Sequence, residues 1–533
     1  MADGKPNIVL ILADDMGFSD IGCVGSEIRT PHLDRLAAGG LLLTQMYNAA
    51  RCCPTRAALL TGLYPHKAGI GHMGAPLGGP AYQGHLRDDA VTLAEALKPA
   101  GYRTLLAGKW HVGGDYDPRH TDRWQPGAPG YPTPRQRGFD RFWGTLDGAG
   151  SFFAPHFVMK DDSRVAITRD DFYMTDAVTD AAIEMVEESV AAKEPFFLYL
   201  GHTAPHWPLH AHEDDIARYE SVYLQGWDYW REARYDAMLS LGVVHPRTQL
   251  SPRDSEARAW NDAPNKDWEA RRMAVYAAMI DRMDQQIGRL MATIDRLGQK
   301  RDTLVLFLSD NGGCAEFMAE DGWAKWYPDT TLDGRPVVKG NRPDLRPGDA
   351  TTFMSYDLPW ANLSNAPFRL YKHWVHEGGI STPMIVSWPG RVEGPRMSQE
   401  ACHVIDIMPT LLEIAGASYP KEHNGNPIQA LDGESLVPLF EGRSWTRDQP
   451  LYWEHEGNAA VRLGQWKLVR RHGQRWELYD ISRDRSELHD RARREPARTR
   501  SLRRRFQGWA SEVGVEEWDV LLPRLRAIWA GEM

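Results

Sequence analysis

The chain has 533 residues, of which 42% are hydrophobic and 25% charged, with a mean hydropathy of −0.49. This composition is typical of a globular protein with a large buried core and excludes the collagenous and intrinsically disordered classes. The net charge of −10 argues against a surface that attracts nucleic acid as a whole, and every apolar run is shorter than the roughly 18 residues of a membrane-spanning helix.

The first strand is predicted at residues 7–13, where an apolar run ends in Asp14-Asp15. This run is too short for the hydrophobic region of a signal peptide, and no small-residue cleavage site follows it. We therefore expect a cytoplasmic protein.

Further strands alternate with helical patterns along the chain. Strands are predicted at 102–107, 195–201, 303–308 and 383–388, and helices at 91–98, 175–190 and 268–297. Such alternation predicts an α/β fold with a large, mixed but mostly parallel sheet sandwiched by helices.

Four of these strands end in polar residues. They are Asp14-Asp15, then Lys109 with His111, then His202 with His206, and finally Asp310-Asn311. Because ligand sites in such sheets lie beyond the carboxyl ends of the strands, these side chains predict an active site at one edge of the sheet.

Three long stretches, at 113–147, 207–265 and 312–367, are rich in Gly, Pro and Trp and are predicted to be irregular rims of that site. The tryptophans of these stretches could line an apolar pocket for a leaving group or could anchor the loops. They are Trp207, Trp227, Trp230, Trp323, Trp326 and Trp360. Short alternating runs between 449 and 480 predict a small antiparallel sheet. We therefore predict two domains, an α/β domain over 1–420 and a smaller sheet-and-helix domain over 421–533.

The segment 462–505 holds fifteen Lys or Arg against six Asp or Glu. A polyanion-binding face is one interpretation, and it predicts salt-sensitive binding to nucleic acid. The acidic residues interspersed through the segment favour a solvated face instead, so no nucleic-acid partner is expected.

The five cysteines are an odd number without CxxC spacing, which argues against a disulfide framework or a zinc site. Cys52 opens the run CCPTRAALLTG, in which Pro54 suits the first turn of a helix that ends at Gly62. Cys52 then lies at the positive end of the helix dipole, where an anion is stabilised, and Arg56 follows on the same face.

With this run the sequence resembles the sulfatase family of the alkaline phosphatase superfamily, whose CxPxR signature fits here only from Cys52. The resemblance covers most of the chain, and within the family the sequence most resembles bacterial arylsulfatases without a signal peptide. Its other segments are PNIVLILADDMGFSD, TPHLDRLAAGG, LAGKWHVG, APHWPL, LFLSDNGG and RLYKHWVHEGGISTP.

The resemblance implies an alkaline phosphatase-like fold and two groups that the sequence does not itself contain. The first is formylglycine, which a formylglycine-generating enzyme forms by oxidising Cys52, while Cys53 stays a packed neighbour. The second is one Ca²⁺ ion bound by Asp14, Asp15, Asp310, Asn311 and an oxygen of the modified residue 52. An all-oxygen ligand set with three carboxylates independently suits a hard cation.

The resemblance also implies the reaction. A sulfate monoester, expected to be an aryl sulfate, is cleaved by the formylglycine hydrate through a covalent sulfate hemiacetal, and inorganic sulfate is released. Arg56, Lys109 and Lys372 stabilise the anion, His206 with Lys372 assists the departing alcohol or phenol, and His111 removes the proton that allows sulfate to leave.

The sequence leaves two alternatives, one a related enzyme and the other a protein of a different class. A phosphonate monoester or phosphodiester hydrolase of the same superfamily is disfavoured, since in those relatives a histidine tends to replace Asn311. A non-catalytic binding protein is disfavoured because the candidate catalytic residues are all present. The expected partners are a small sulfate ester and the maturation enzyme, with no membrane.

Overall fold

Eleven of the strands in the described part of the chain form one large mixed sheet that organises the molecule. The structure is a computed structural model that describes residues 4–169 and 171–530. Its strands are β1 (Asn7–Ala13), β2 (Leu41–Tyr47), β3 (Arg103–Lys109), β4 (Arg141–Thr145), β5 (Met159–Lys160), β6 (Ser163–Arg164), β7 (Phe196–Gly201), β8 (Thr303–Ser309), β9 (Val338–Lys339), β10 (Thr352–Phe353), β11 (Ser381–Ser387), β12 (Arg396–Ser398), β13 (Cys402–His403), β14 (Glu422–His423), β15 (Asn426–Pro427), β16 (Leu451–His455), β17 (Asn458–Leu463), β18 (Trp466–Arg470) and β19 (Glu477–Asp480).

The α-helices flank this sheet and the smaller ones. They are α1 (Pro31–Ala38), α2 (Cys52–Thr61), α3 (Leu93–Leu97), α4 (Met174–Ala191), α5 (Glu213–Ile216), α6 (Gly226–Leu241), α7 (Lys266–Arg296), α8 (Asp357–Ser364), α9 (Glu377–Ile380), α10 (Ile407–Ala415), α11 (Val437–Phe440), α12 (Pro496–Val513) and α13 (Trp518–Ala530).

The large sheet has the strand order β12-β2-β11-β8-β1-β7-β3-β4-β5-β6, with β13 paired to β2. Its centre is parallel, because β1 pairs in parallel with both β7 and β8, and β3 pairs in parallel with β7 and β4. All seven residues of β1 are buried. Its alternate side chains enter two different cores: Leu10 packs in the core that contains α2, and Ile11 in the core that contains α4 and α7. A sheet buried on both faces explains the continuous apolar run of its central strand, and the predicted α/β fold is confirmed.

A second sheet, β16-β17-β18-β19, is wholly antiparallel. Helix α12 packs against it through Leu502 and Phe506, which belong to the same core as the residues of α2. The small sheet therefore lies on the same side of the large sheet as helix α2, which begins with Cys52.

All three long stretches have more regular structure than expected, since residues 113–147 include strand β4 and residues 312–367 include the eight-residue helix α8. Residues 207–265, predicted to be irregular, contain the 16-residue helix α6. This prediction was wrong because α6 begins with glycine and carries bulky aromatic residues, and it buries Trp227, Arg231, Arg234 and Met238 rather than a clean apolar stripe. Tertiary packing stabilises this helix where its amphipathic pattern is weak.

Within the described residues, no helix combines the length and the apolar character needed to cross a bilayer.

Candidate active site

The polar residues that follow β1, β3, β7 and β8 meet at the carboxyl edge of the large sheet, beside the N-terminus of α2. A cleft of about 400 Å³ opens onto them. Its lining includes Cys52, His111, His206 and Lys372. This is the edge at which the alternation of strands and helices predicts a site.

Helix α2 places Cys52 in the cleft. The preceding Arg51 is extended, with φ −148° and ψ 152°, and the helix ends at Gly62, whose φ of +68° is a left-handed conformation that favours glycine. Cys52 is only 2% exposed. Hydrogen bonding with Cys53 lowers the pKa of the Cys52 thiol well below its ordinary value, and Lys109 and His111 contribute against the opposing effect of burial. An anionic group is therefore stabilised at residue 52.

Four oxygen-bearing side chains form a buried cluster, which we call the oxygen cluster: Asp14, Asp15, Asp310 and Asn311. Asn311 Nδ2 donates to Asp15 Oδ1 at 2.7 Å, so the carboxamide oxygen faces the other way. In the part of the chain that the structure describes, Asp14 Oδ1 and Asn311 Oδ1 have no hydrogen-bond partner. Buried oxygens are costly without a partner, and a divalent cation satisfies such a set.

Three buried cations pair with the three carboxylates, and Arg56 Nη2 also lies 3.7 Å from Asp14 Oδ1. Lys109 Nζ lies 2.6 Å from Asp14 Oδ2, Lys372 Nζ lies 2.9 Å from Asp15 Oδ2, and Arg56 Nη2 lies 2.8 Å from Asp310 Oδ2. The formal charge of these six groups is therefore zero. A bound divalent cation raises it to +2, which attracts an anion into the cleft.

His206 is held as a neutral imidazole. Its Nδ1 donates to the carbonyl oxygen of Trp207 at 2.7 Å, because a carbonyl can only accept, and its Nε2 therefore accepts from Lys372 Nζ at 3.2 Å. Burial lowers the pKa of His206 to about 3. The imidazole thus orients the ammonium of Lys372, which is the hydrogen-bond donor of this pair toward the cleft.

His111 lies on the other side of Cys52. Its backbone has a φ of +54°, a left-handed conformation in which a non-glycine residue is strained. Gly148 leaves room for the imidazole, since a Cβ there would lie 2.6 Å from the ring. Burial lowers the pKa of His111, so this side chain is a neutral base at physiological pH.

The structure also brings in residues that sequence reasoning missed. Arg51, next to the cysteine motif, pairs with Glu316 at 3.0 Å, and Glu316 in turn accepts from Trp207 Nε1 at 2.8 Å. Arg56 Nη1 lies 3.4 Å from the hydroxyl of Tyr199 on β7. Arg51 could have been predicted as a site residue because it directly precedes the cysteine motif. Glu316 could not, because it lies in a loop without a periodic sequence pattern.

The tryptophans of the long loops divide between two roles. Trp207 and Trp326 line the cleft, whereas Trp227 and Trp360 are fully buried in a core cluster and Trp230 packs against it. The side chain of Trp323 lies outside the described residues. The pocket interpretation thus holds for two of these residues and the anchor interpretation for three.

An α/β sheet whose carboxyl edge brings buried lysines and an arginine together with a cluster of buried acidic oxygens is typical of an enzyme that acts on an anionic ester. Residues 6–417 match the family model described as Sulfatase, and residues 368–506 match the model described as N-sulphoglucosamine sulphohydrolase, C-terminal. The chain belongs to the sulfatase family of the alkaline phosphatase superfamily and is a sulfuric ester hydrolase.

Individual relatives agree with this assignment. The chain is 35% identical to an arylsulfatase of Klebsiella aerogenes, over 83% of this chain and 94% of the relative. It is 33% identical to an uncharacterized sulfatase of Schizosaccharomyces pombe, over 96% of this chain and 94% of the relative. The crystal structure of Ps i-CgsB in complex with k-i-k-neocarrahexaose is similar with a TM-score of 0.67 and 26% identity, covering 95% and 93% of the two chains.

Proposed function

We propose that this sulfatase hydrolyses aryl sulfate monoesters with a formylglycine at position 52 and one Ca²⁺ ion. The observation that carries the proposal is the meeting of a buried Cys52 at the N-terminus of α2 with two oxygens, Asp14 Oδ1 and Asn311 Oδ1, that have no hydrogen-bond partner among the described residues. A nucleophile and a cation site thus share one cleft.

Asp14, Asp15, Asp310 and Asn311 would hold the metal ion. Their donors are all oxygens and three are carboxylates, which suits Ca²⁺ better than Zn²⁺. When bound, the ion would draw the sulfate oxygens into place and offset their negative charge in the transition state.

Oxidation of Cys52 would replace the thiol by an aldehyde whose hydrate supplies an oxygen nucleophile and a second hydroxyl for sulfate release. A plain serine or cysteine lacks this second hydroxyl and would remain sulfated. Maturation by a formylglycine-generating enzyme in the cytoplasm is part of the proposal.

The charged and imidazole side chains of the site would stabilise the developing charges and transfer the protons. Lys109 and Arg56 stabilise the sulfuryl oxygens. Burial opposes the charged form of Lys372, but Asp15 and neighbouring acidic groups raise its pKa well above the usual range, so its ammonium persists. Oriented by His206, it would stabilise the oxygen that departs, and His111 would accept the proton of the second hydroxyl.

The aryl preference is supported by the cleft wall. Trp207, Trp326 and Tyr327 line it, as do Leu525 and Ile528 of α13. Aromatic and aliphatic side chains around a cationic centre suit a leaving group that is apolar and planar.

The experiment has two parts. Peptide mass spectrometry across residues 51–56 is expected to show an aldehyde or its hydrate in place of the Cys52 thiol. The ratio kcat/KM is then compared for matched aryl sulfate, alkyl sulfate, phosphate diester and phosphonate monoester substrates. An unmodified thiol in fully active enzyme contradicts the mechanism, and a higher kcat/KM for the phosphorus esters favours the phosphohydrolase alternative.

A further inference from the structure

A second cluster of metal-binding side chains lies beside the cleft, apart from the oxygen cluster. It comprises His72, His373, His455 and Glu456, and we call it the imidazole cluster. His455 ends β16, Glu456 follows it in the turn to β17, and His72 comes from the loop between α2 and α3. Residues far apart in the chain thus converge on one carboxylate.

The carboxylate of Glu456 is surrounded by imidazole nitrogens. Its Oε1 lies 2.9 Å from His72 Nε2 and 3.6 Å from His455 Nε2, and its Oε2 lies 3.0 Å from His373 Nδ1. One donor atom from each of His72, His455 and Glu456 lies within 4.8 Å of the others.

Hydrogen bonding does not account for the buried position of His455 in this cluster. It is completely buried, and among the described residues neither of its ring nitrogens has a hydrogen-bond partner. A polar group buried in this way costs free energy unless something binds it. Glu456 also adopts a left-handed backbone conformation, with a φ of +50°, which aims its side chain at some conformational cost.

We propose that the imidazole cluster is a site for a first-row transition metal ion, most simply Zn²⁺. The ligands are His72 Nε2, His455 Nε2 and Glu456 Oε1, and His373 orients the carboxylate through its other oxygen. Zinc bonds of roughly 2.0–2.2 Å at tetrahedral angles place ligand atoms about 3.3–3.5 Å apart. The observed separations of 2.9 and 3.6 Å bracket this value.

The two sites differ in donor chemistry. Imidazole nitrogens favour Zn²⁺ and related ions, whereas the oxygen cluster suits a hard cation, so each site has its own metal preference. The nearby guanidinium of Arg51 is neutralised by Glu316 at 3.0 Å. Three imidazole rings and one carboxylate would therefore offer a divalent cation nitrogen donors and one negatively charged oxygen donor.

Three protein ligands leave a fourth position open. His72 and Glu456 line the same cleft as Cys52, so a metal ion bound to them would be accessible from the cleft. A metal ion there would bind an oxygen donor on the leaving-group side of the ester. This inference does not depend on the modification of Cys52 or on the aryl preference.

Metal binding to the full-length protein tests the proposal. The protein is stripped with a chelator, supplied with Ca²⁺, and titrated with Zn²⁺, and bound metal is counted by mass spectrometry after gel filtration. Co²⁺ serves as a spectroscopic probe, since tetrahedral nitrogen and oxygen ligation gives intense visible absorption. We expect one retained zinc equivalent and a Co²⁺ spectrum that Zn²⁺ abolishes.

The variants Glu456→Gln and His455→Ala are expected to weaken Zn²⁺ binding more than tenfold while retaining Ca²⁺. His472→Ala is the matched control, because His472 is an exposed imidazole beside the carboxylate of Asp519 at 3.1 Å. Circular dichroism checks the fold of each variant, and His72→Gln replaces His455→Ala if the latter does not fold. Wild-type protein that retains no zinc, or variants that bind as tightly as wild type, would show a hydrogen-bonded network only and overturn the proposal.

Discussion

Two clusters of buried charged side chains in this molecule differ in how well the protein itself provides partners for their oxygen atoms. In the oxygen cluster and its cations, Asp14 Oδ1 and Asn311 Oδ1 lack hydrogen-bond partners among the described residues. The other, which we call the support cluster, joins the end of the large sheet to the small one and comprises Glu377, Glu487, Lys467, Arg485 and Tyr47.

In the support cluster each carboxylate oxygen lies 2.9 Å or less from a protein nitrogen or hydroxyl oxygen, although the contact of Lys467 with Glu487 Oε1 is an ion pair without hydrogen-bond geometry. Lys467 Nζ lies 2.8 Å from Glu377 Oε1 and 2.9 Å from Glu487 Oε1. Glu377 Oε2 accepts from the hydroxyl of Tyr47 at 2.9 Å, and Glu487 Oε2 accepts from the backbone N–H of Glu377 at 2.9 Å. Opposing charges lower the pKa of Glu377 to about 2 despite burial.

The difference separates a structural site from a binding site. Both clusters bear the cost of desolvating their charges, but the support cluster offsets it within the protein. In the oxygen cluster, Asp14 Oδ1 has only a 3.7 Å ion pair with Arg56 Nη2, and Asn311 Oδ1 has no hydrogen bond to the described residues, so both oxygens are available to a ligand. Substitutions in the support cluster are therefore expected to act on stability, and those around the oxygen cluster on turnover.

The largest effect is expected at Cys52. Cys52→Ala should lower kcat for a chromogenic aryl sulfate by a factor on the order of 10⁴ or more, since the nucleophile precursor is lost. The free energy of unfolding should change little. The matched control is Cys53→Ala, which removes a buried thiol outside the CxPxR register; equal activity losses in the two variants would contradict the assignment of Cys52.

The support cluster should respond in the opposite sense. Lys467→Met leaves Glu377 and Glu487 buried without their shared cation, which is expected to lower the free energy of unfolding by about 3–5 kcal/mol. Urea denaturation measures this change. Lys300→Met is the control, because Lys300 pairs with Asp295 on the surface, where an ion pair contributes less than about 1 kcal/mol.

If Lys467→Met instead abolishes turnover in a protein of unchanged stability, the distinction between the two clusters fails.

Chelation of Ca²⁺ should affect both turnover and stability. At a Ca²⁺ concentration of about 100 times Kd, binding contributes roughly 2.7 kcal/mol, and this contribution and most of the activity are expected to be lost with a chelator. Differential scanning calorimetry and a sulfate-release assay, each with added Ca²⁺, measure recovery. Asp14→Asn should show a weakened calcium response, and an unchanged response would count against Asp14 as a ligand.

The smallest predicted effect concerns a buried histidine outside both clusters. Burial lowers the pKa of His403 to about 3, from an ordinary value of 6.5. The unfolded chain therefore binds a proton that the folded chain does not, so stability is full above pH 6.5 and falls as the pH drops toward 3. Between pH 7.5 and 5.5, this residue should cost about 1.3 kcal/mol.

The test is urea unfolding of His403→Asn at both pH values, with the exposed His245→Asn as control. Asparagine can retain the hydrogen bond that His403 Nδ1 accepts from the backbone of Ile405 at 3.2 Å. The His403 variant should lose about 1.3 kcal/mol less stability than wild type. Parallel pH profiles of the variant and wild type would rule out this residue as a source of the acid sensitivity.

Much of the catalytic edge was predictable because its signals are local. The apolar run at 7–13 matches β1, the predicted strand at 303–308 matches β8 to within one residue, and polar residues follow both. Pro54 and Gly62 mark the region of α2. Parallel pairing then brings these strand ends to one edge, as the alternation of strands and helices predicts.

Contacts between distant loops were not predictable in this way. Nothing in the sequence places Glu316 beside Arg51, or Glu456 beside His72, because neither pair has a periodic or local signal. The segment 462–505 was predicted to be a solvated face, yet Lys467 and Arg485 are buried in the support cluster. That part of the prediction was wrong because composition does not reveal a buried partner such as Glu377.

The sequence by itself determined the α/β alternation, the family and the residue types at the strand ends, since hydrophobic period and short motifs are properties of neighbouring residues. Only the tertiary structure decided which buried charges are satisfied within the protein and which leave atoms for a ligand. That distinction depends on distances between residues hundreds of positions apart in the sequence, such as the 2.9 Å between Asp15 Oδ2 and Lys372 Nζ.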